Sequence, residues 1–294
     1  MVAFSVLLPT HARPDVLGLA IRSVLAQTET ELELLLCLDG VGDATRAVVA
    51  GFPDPRIRAF AAPKGPGFGY ALRNVALREA RGRFLAFQAD DDLWLPDHLA
   101  TLRMVLEGTG APFAYTRPLW VSADGVVAPV LANLQHADEL HRFLTRHNVL
   151  NANCWGATMD AVRAAGLWPE DVAAGGDWMM WRRIHGATGR GPLCWPVPTA
   201  LHFTAARKAT RWSDLREMKM WLAVADAAPW WPAWLRHAPA PTPQAAIWAA
   251  LEASGPAAMR AAADEVVARL AWMTVREVMP RLEEAGLALG AGLA

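Results

Sequence analysis

The sequence predicts an α/β protein: a mixed, mainly parallel sheet flanked by helices, followed by a helical C-terminal extension. Three observations carry that expectation. Through the first hundred residues, short apolar runs alternate with segments whose apolar positions repeat at helical spacing, as in strands joined by crossover helices. The runs end at Pro, Gly or Asp, residues that stop strands or open turns. Beyond about Arg211 the runs give way to Ala- and Trp-rich helix. A chain of 294 residues, 53% hydrophobic and 19% charged, is long and apolar enough for one large folded domain with an appendage.

Taken in order, "AFSVLL" (Ala3–Leu8) is the first strand, stopping at Pro9. Pro14 suits the first turn of the helix that follows, in which Val16, Leu17, Ala20, Val24 and Leu25 share a face. "ELLLCL" (Glu33–Leu38) is the second strand, and Asp43–Gly51 a short helix with an Asp cap. "RIRAFA" (Arg56–Ala61) is the third strand, and the loop "PKGPGFG" opens a helix over Tyr70–Gly82. "FLAFQ" is the fourth strand, and "LPDHLATLRMVLEG" another helix. After residue 110 come short strands with a hairpin at Asp124-Gly125, a helix near His136–His147, a strand in "NANCWGATM" and a short helix "DAVRAAG". The loop "LWPEDVAAGG" then leads into "DWMMWRRIHG". These changes predict a catalytic domain over 1–210 and a Trp/Ala-rich helical extension over 211–294, broken at "APAPTP".

A formal charge of -1 gives no basic face for nucleic acid. Cys37, Cys154 and Cys194 are odd in number and set among apolar neighbours, so they are expected as reduced core thiols in a cytoplasmic protein. The apolar start lacks a basic leader, and no run approaches the ~20 residues of a membrane span.

In a parallel sheet every strand's carboxyl end lies on one edge. Thr10-His11, Asp39-Gly40, Lys64-Gly65 and Asp90–Asp92 are therefore expected to share a crevice, the usual ligand site of such sheets. Neighbouring carboxylates in the triplet would repel by about 4 kcal/mol at an effective dielectric near 20. A divalent cation, which takes oxygen ligands, would cancel that repulsion and hold a diphosphate. The competing explanation is that some of these aspartates cap the next helix.

"SVLLPTHARPDVLGLAIRSVLAQTETELELLLCLDG", the "RN" of "YALRN", "ARGRFLAFQADDDLWLPDHL" and "GLWPEDVAAGGDWMMWRRI" together resemble a family 2 glycosyltransferase of the Rossmann-like GT-A fold, over about Val2–Ala205. The resemblance implies an inverting enzyme that uses a nucleotide-sugar, most readily a UDP-sugar, and Mn²⁺ or Mg²⁺. It would deliver the sugar to a saccharide or lipid-linked acceptor hydroxyl in polysaccharide or glycoconjugate assembly. It places Pro9, Thr10 and Arg13 against the nucleotide, Asp39 at the base, Lys64 in a phosphate cradle and Arg73 near the nucleotide. Asp90 falls nearer the ribose, Asp91 and Asp92 face the metal and diphosphate, and His202 lies by the diphosphate as a further ligand. Asp177 is the candidate catalytic base, with an N-cap as its alternative role. Leu38, Ala89 and Gly176 depart from the pattern, standing where relatives often carry acids, which keeps a noncatalytic nucleotide-sugar-binding scaffold as a rival. A sugar nucleotidyltransferase is a weaker rival, because "PTHARPDVLG" lacks its Gly- and Arg-rich signature.

Arg207, Lys208 and Arg211 could form a basic flap or an ordinary charged surface. The fourteen tryptophans cluster late. "PWWPAWLRH" is expected to pack on the catalytic domain or in a homodimer, with peripheral membrane contact as the alternative.

Overall fold

A computed structural model describes residues 2–203 and 223–273. The expected Arg207–Arg211 flap lies outside the described residues. The chain divides into two compact units, one built from Met1–Pro118 and Ala132–His202, the other from Leu119–Leu131 and the chain beyond His202.

Strands β1 (Phe4–Thr10), β2 (Leu32–Asp39), β3 (Ile57–Ala62) and β4 (Phe84–Phe87) pair in parallel, in the spatial order β3-β2-β1-β4. Helices α1 (Pro14–Leu25), α2 (Asp43–Ala50) and α3 (Tyr70–Arg78) connect them. β1 and β2 read as nearly continuous apolar runs because both their faces are covered. β1 continues through Pro9 instead of ending before it. The Leu7 carbonyl bonds Gln88 on the β4 side, so Pro9, two residues on, faces that side, where the ladder ends at Leu7 opposite Phe87. Its missing N–H therefore leaves nothing unpaired. In α2, Asp43 lies in the first turn, and Gly42 is the cap.

Beyond β4 the sheet becomes mixed. A two-residue strand β5 (Leu93–Trp94) precedes α4 (His98–Thr109), and β6 (Phe113–Val121) follows. After a hairpin at Gly125 come β7 (Val127–Pro129), α5 (Ala137–Thr145), β8 (Trp155–Thr158), α6 (Met159–Ala164), α7 (Gly176–Thr188) and β9 (Leu193–Phe203). β4 pairs antiparallel with β8, β8 with β6, and β9 with β5. The core of the first unit is a continuous apolar cluster on both faces of this sheet, including Leu7, Leu34, Leu85, Trp155 and Trp181. The three cysteines are free and buried, and burial pushes the Cys37 thiol up to about 12.

In the second unit the β6–β7 hairpin bridges Val126 to Arg236, and the Gly125 carbonyl accepts from His237. Helices α8 (Gln244–Ser254) and α9 (Pro256–Met273) follow; α8 starts directly after the "APAPTP" break. Trp231 is buried and donates to the Leu235 carbonyl, while Arg269 covers the Trp230 ring at 5.0 Å. Among the described residues no helix is long and apolar enough to cross a membrane.

Candidate active site at the carboxyl edge of the sheet

The carboxyl ends of β1–β4 bring Thr10, Asp39, Lys64 and the acidic triplet to one edge, as the parallel order requires. The triplet sits in the tight connection from β4 to β5, where the Asp92 N–H donates to Ala89 O at 3.3 Å and Gln88 Nε2 to Asp92 O at 3.2 Å. None of the three caps α4: its N-cap is Asp97, whose own side chain makes no capping bond, and the Leu99 N–H in the first turn donates to Gln27 Oε1 at 2.9 Å.

Thr10 Oγ1 donates to Asp90 Oδ2 at 2.8 Å, and Arg13 reaches Asp90 Oδ1 at 3.3 Å. Arg13 also pairs with Asp91. Asp92 is held from the opposite side, with His202 Nδ1 at 3.0 Å from Oδ2 and 3.1 Å from Oδ1. The β5–β9 register, Leu93 opposite Leu201 and Trp94 opposite Ala200, brings this about. One step back along the same register places Asp92 opposite His202. Asn153 clasps the two strands, accepting the Trp94 indole N–H at 2.7 Å and donating Nδ2 to Leu201 O at 3.0 Å.

Arg13 pairs with Asp90 and Asp91, and the His202 imidazole with Asp92; three carboxylates gathered at one edge are the kind of oxygen donors a divalent ion takes. Among the described residues no three His, Cys, Asp or Glu side chains gather as a complete cage. The donor set fits Mn²⁺, which accepts both a carboxylate oxygen and an imidazole nitrogen. Of the expected ligands, Asp92 and His202 lie against one another and Asp91 lies against Arg13; these are the residues that would hold such an ion.

On the β2 side, Asp39 and Lys64 form one unit. Lys64 Nζ lies 2.7 Å from Asp39 Oδ2, and the Gly65 N–H donates to Oδ1 at 2.8 Å. His11 Nδ1 lies 2.7 Å from the Asp39 carbonyl oxygen. Gly69 fits beside this pair for a steric reason: at φ 71°, a Cβ there would lie 2.8 Å from Asp39 Cγ.

Arg73 is buried, with Tyr70, Phe87 and Trp168 rings at 5.0, 5.3 and 4.7 Å from its guanidinium carbon. It donates to Phe68 O at 3.1 Å, and its Nε has no hydrogen-bond partner. Burial draws its pKa down, against an upward pull from Tyr70, Cys37, Asp177 and Asp90.

Asp177 lies in the first turn of α7; Gly175, in the left-handed region, is the N-cap, so the capping role does not hold. Asn148 Nδ2 makes a long, 3.5 Å contact with Asp177 Oδ2. A Cβ on Gly176 would lie 2.7 Å from Tyr70 Cζ and 2.9 Å from Trp168 Nε1, so there is no room for an acidic side chain there. Asn74 pins the preceding loop, exchanging bonds of 2.8 Å with Trp168 N and O and donating to Glu170 at 2.6 Å. His11, Asn74, Asn148 and Tyr70 went unassigned in the sequence, since their partners lie on other elements.

The family model described as "Glycosyl transferase family 2" matches residues 5–156, more than half the chain. The chain belongs to glycosyl transferase family 2. This family 2 chain is 32% identical over 128 residues to the UDP-Glc:alpha-D-GlcNAc-diphosphoundecaprenol beta-1,3-glucosyltransferase WfgD of Escherichia coli, covering 44% of this chain and 50% of that one. It is 39% identical over 111 residues to the succinoglycan biosynthesis protein ExoO of Rhizobium meliloti, covering 38% and 32%. The matches thus span half or less of those relatives' length. Among solved structures, S. aureus TarS 1-349 in complex with UDP-GlcNAc superposes with a TM-score of 0.55 at 17% identity, over 69% of this chain and 58% of that chain. Mannosyltransferase PcManGT from Pyrobaculum calidifontis, in complex with GDP-Man and Mn²⁺, gives 0.51 at 20%, over 99% and 80%. These neighbours share the fold: a mixed, mainly parallel sheet flanked by helices, with a helical extension after it.

Proposed function

We propose that this family 2 chain is a metal-dependent inverting glycosyltransferase that moves a sugar from a nucleotide-sugar, UDP-linked, to an acceptor hydroxyl. The observation that carries the proposal is the run of contacts along one edge. The triplet is gripped by Arg13, Thr10 and His202, and the glycine loop touches both Asp39 and the loop that leads to Asp177. The names of relatives acting with UDP-Glc on diphosphoundecaprenol-linked sugars support the donor and a saccharide or lipid-linked acceptor, in polysaccharide or glycoconjugate assembly. A lipid-linked acceptor would bring the protein to the membrane periphery on the cytoplasmic side.

In this mechanism Asp39 reads the nucleotide base and Pro9, Thr10, Arg13 and Asp90 flank the nucleoside. Lys64, 40% exposed, swings from Asp39 to the phosphates. Arg73 lends its buried charge from behind the same pocket. Asp91 and Asp92, with His202, would hold the divalent ion, which when bound offsets the charge gathering on the departing diphosphate. Asp177 receives the acceptor hydroxyl's proton as the new bond forms at the anomeric carbon, on the face opposite the leaving group.

The test is thermal shift against UDP, GDP, dTDP and CDP with Mn²⁺, followed by transfer with the nucleotide that stabilises. UDP stabilisation with turnover is the expected result. Binding without transfer over a broad acceptor panel, unaltered by Asp177→Asn, would instead identify a nucleotide-sugar-binding scaffold.

A further inference from the structure

Helix α3 turns one face toward the loop that ends at Asp177. Tyr70, Arg73 and Asn74, at positions i, i+3 and i+4, project together from it. Asn74 holds the loop's beginning at Trp168 and Glu170, and Tyr70 holds its end: the Gly176 N–H donates to Tyr70 Oη at 3.1 Å. That N–H is one of the donors at the start of a helix that have no partner within the helix, and the cap residue Gly175 has no side chain to satisfy it. The Tyr70 ring is fixed in turn, buried, with Arg73 stacked over it at 5.0 Å and Phe68 at 6.0 Å between centroids. Gly176 has no side chain, and Tyr70 and Trp168 fill the space where one would be.

We infer that Tyr70 is a positioning residue for the Asp177 carboxylate, fixing the first turn of α7 through the Gly176 N–H. The inference rests on the proposed role of Asp177 as base. A hydroxyl on the donor-side helix thus sets the height of the acceptor-side carboxylate, and the bare Gly176 backbone is the joint between them. Donor binding is not Tyr70's task, so its loss should appear in turnover and not in donor affinity.

The experiment compares wild type, Tyr70→Phe, Gly176→Ala and Asp177→Asn with UDP-sugar, Mn²⁺ and a working acceptor, together with calorimetric UDP titration. Tyr70→Phe keeps the ring and removes only the acceptor oxygen; we expect kcat to fall about tenfold, with donor KM and UDP Kd within twofold. Gly176→Ala, whose methyl group presses on the same ring, should lose more kcat with the same UDP Kd. The retained UDP affinity reports an intact fold. Full kcat in Tyr70→Phe beside an inactive Asp177→Asn overturns the positioning role alone, as does a loss confined to donor KM. An active Asp177→Asn, or a wild type without turnover, overturns the base assignment and this inference with it.

Discussion

His202 Nδ1 lies 3.0 Å from Asp92 Oδ2 across 110 residues of sequence, because β5 and β9 pair antiparallel at Leu93 and Leu201. The imidazole approaches both carboxylate oxygens almost equally. Asp92 and His202 would together hold a divalent ion here, so its binding should weaken when either is lost. His202→Ala is expected to raise the Mn²⁺ concentration for half-maximal activity about tenfold, and Asp92→Asn further, in line with losses typical of a metal's near neighbours. A Mn²⁺ titration of transfer measures it; an unmoved half-saturation in both variants would place the metal elsewhere.

Asp177→Asn keeps the shape and the Asn148 contact while removing the proton acceptor. Loss of a general base typically costs about 10²–10⁴ in rate. The variant should bind UDP with Mn²⁺ as tightly as wild type and transfer slower by that factor. Rates within threefold of wild type would remove Asp177 from the chemistry.

Much of this site was readable in the sequence because its parts end consecutive parallel strands, whose apolar runs and terminal Asp or Gly residues are local signals. Thr10, Asp39 and the triplet fall where those runs stop. The unread parts depend on partners far along the chain. β5 is two residues long, too short to show alternation, and β9 carries Pro196 and Pro198, which argue against a strand. The register that delivers His202 to Asp92 was therefore invisible. The Lys64–Asp39 ion pair was likewise hidden, since each residue looked suited to a separate task. Gly176 reads in the sequence as a missing acid, whereas the structure gives it a steric reason in Tyr70.

Gly69→Ala tests the glycine loop. The position needs a left-handed backbone, which costs an L-residue about 1–2 kcal/mol. The added carbon would also push Asp39 from its place. The melting temperature should drop by several degrees, and UDP affinity should fall at least tenfold, read by calorimetry. An unaltered UDP affinity would separate Asp39 from nucleotide recognition.

His98 gives a prediction about acid stability. It is fully buried against Trp94, with Nδ1 2.7 Å from Thr199 Oγ1; that hydroxyl donates onward to Thr116 Oγ1, so Nδ1 carries the hydrogen and donates. Nε2 faces no partner, and burial draws the pKa from 6.5 to about 3. The folded form therefore stays neutral where the unfolded chain takes up a proton. Because the folded value is the lower one, the unfolded state binds more protons below pH 6.5, and stability falls with pH from there toward 3. The contribution approaches about 1.4 kcal/mol per pH unit once the unfolded imidazole is charged. His98→Asn, whose amide can replace the bond to Thr199, should be less stable at pH 7 because it loses the ring packing on Trp94. Its stability should decline less steeply between pH 6.5 and 5, where carboxylate protonation contributes least. Urea unfolding of both proteins across that interval measures the two slopes, and parallel slopes would mean that His98 takes up its proton as readily inside the fold as in the unfolded chain.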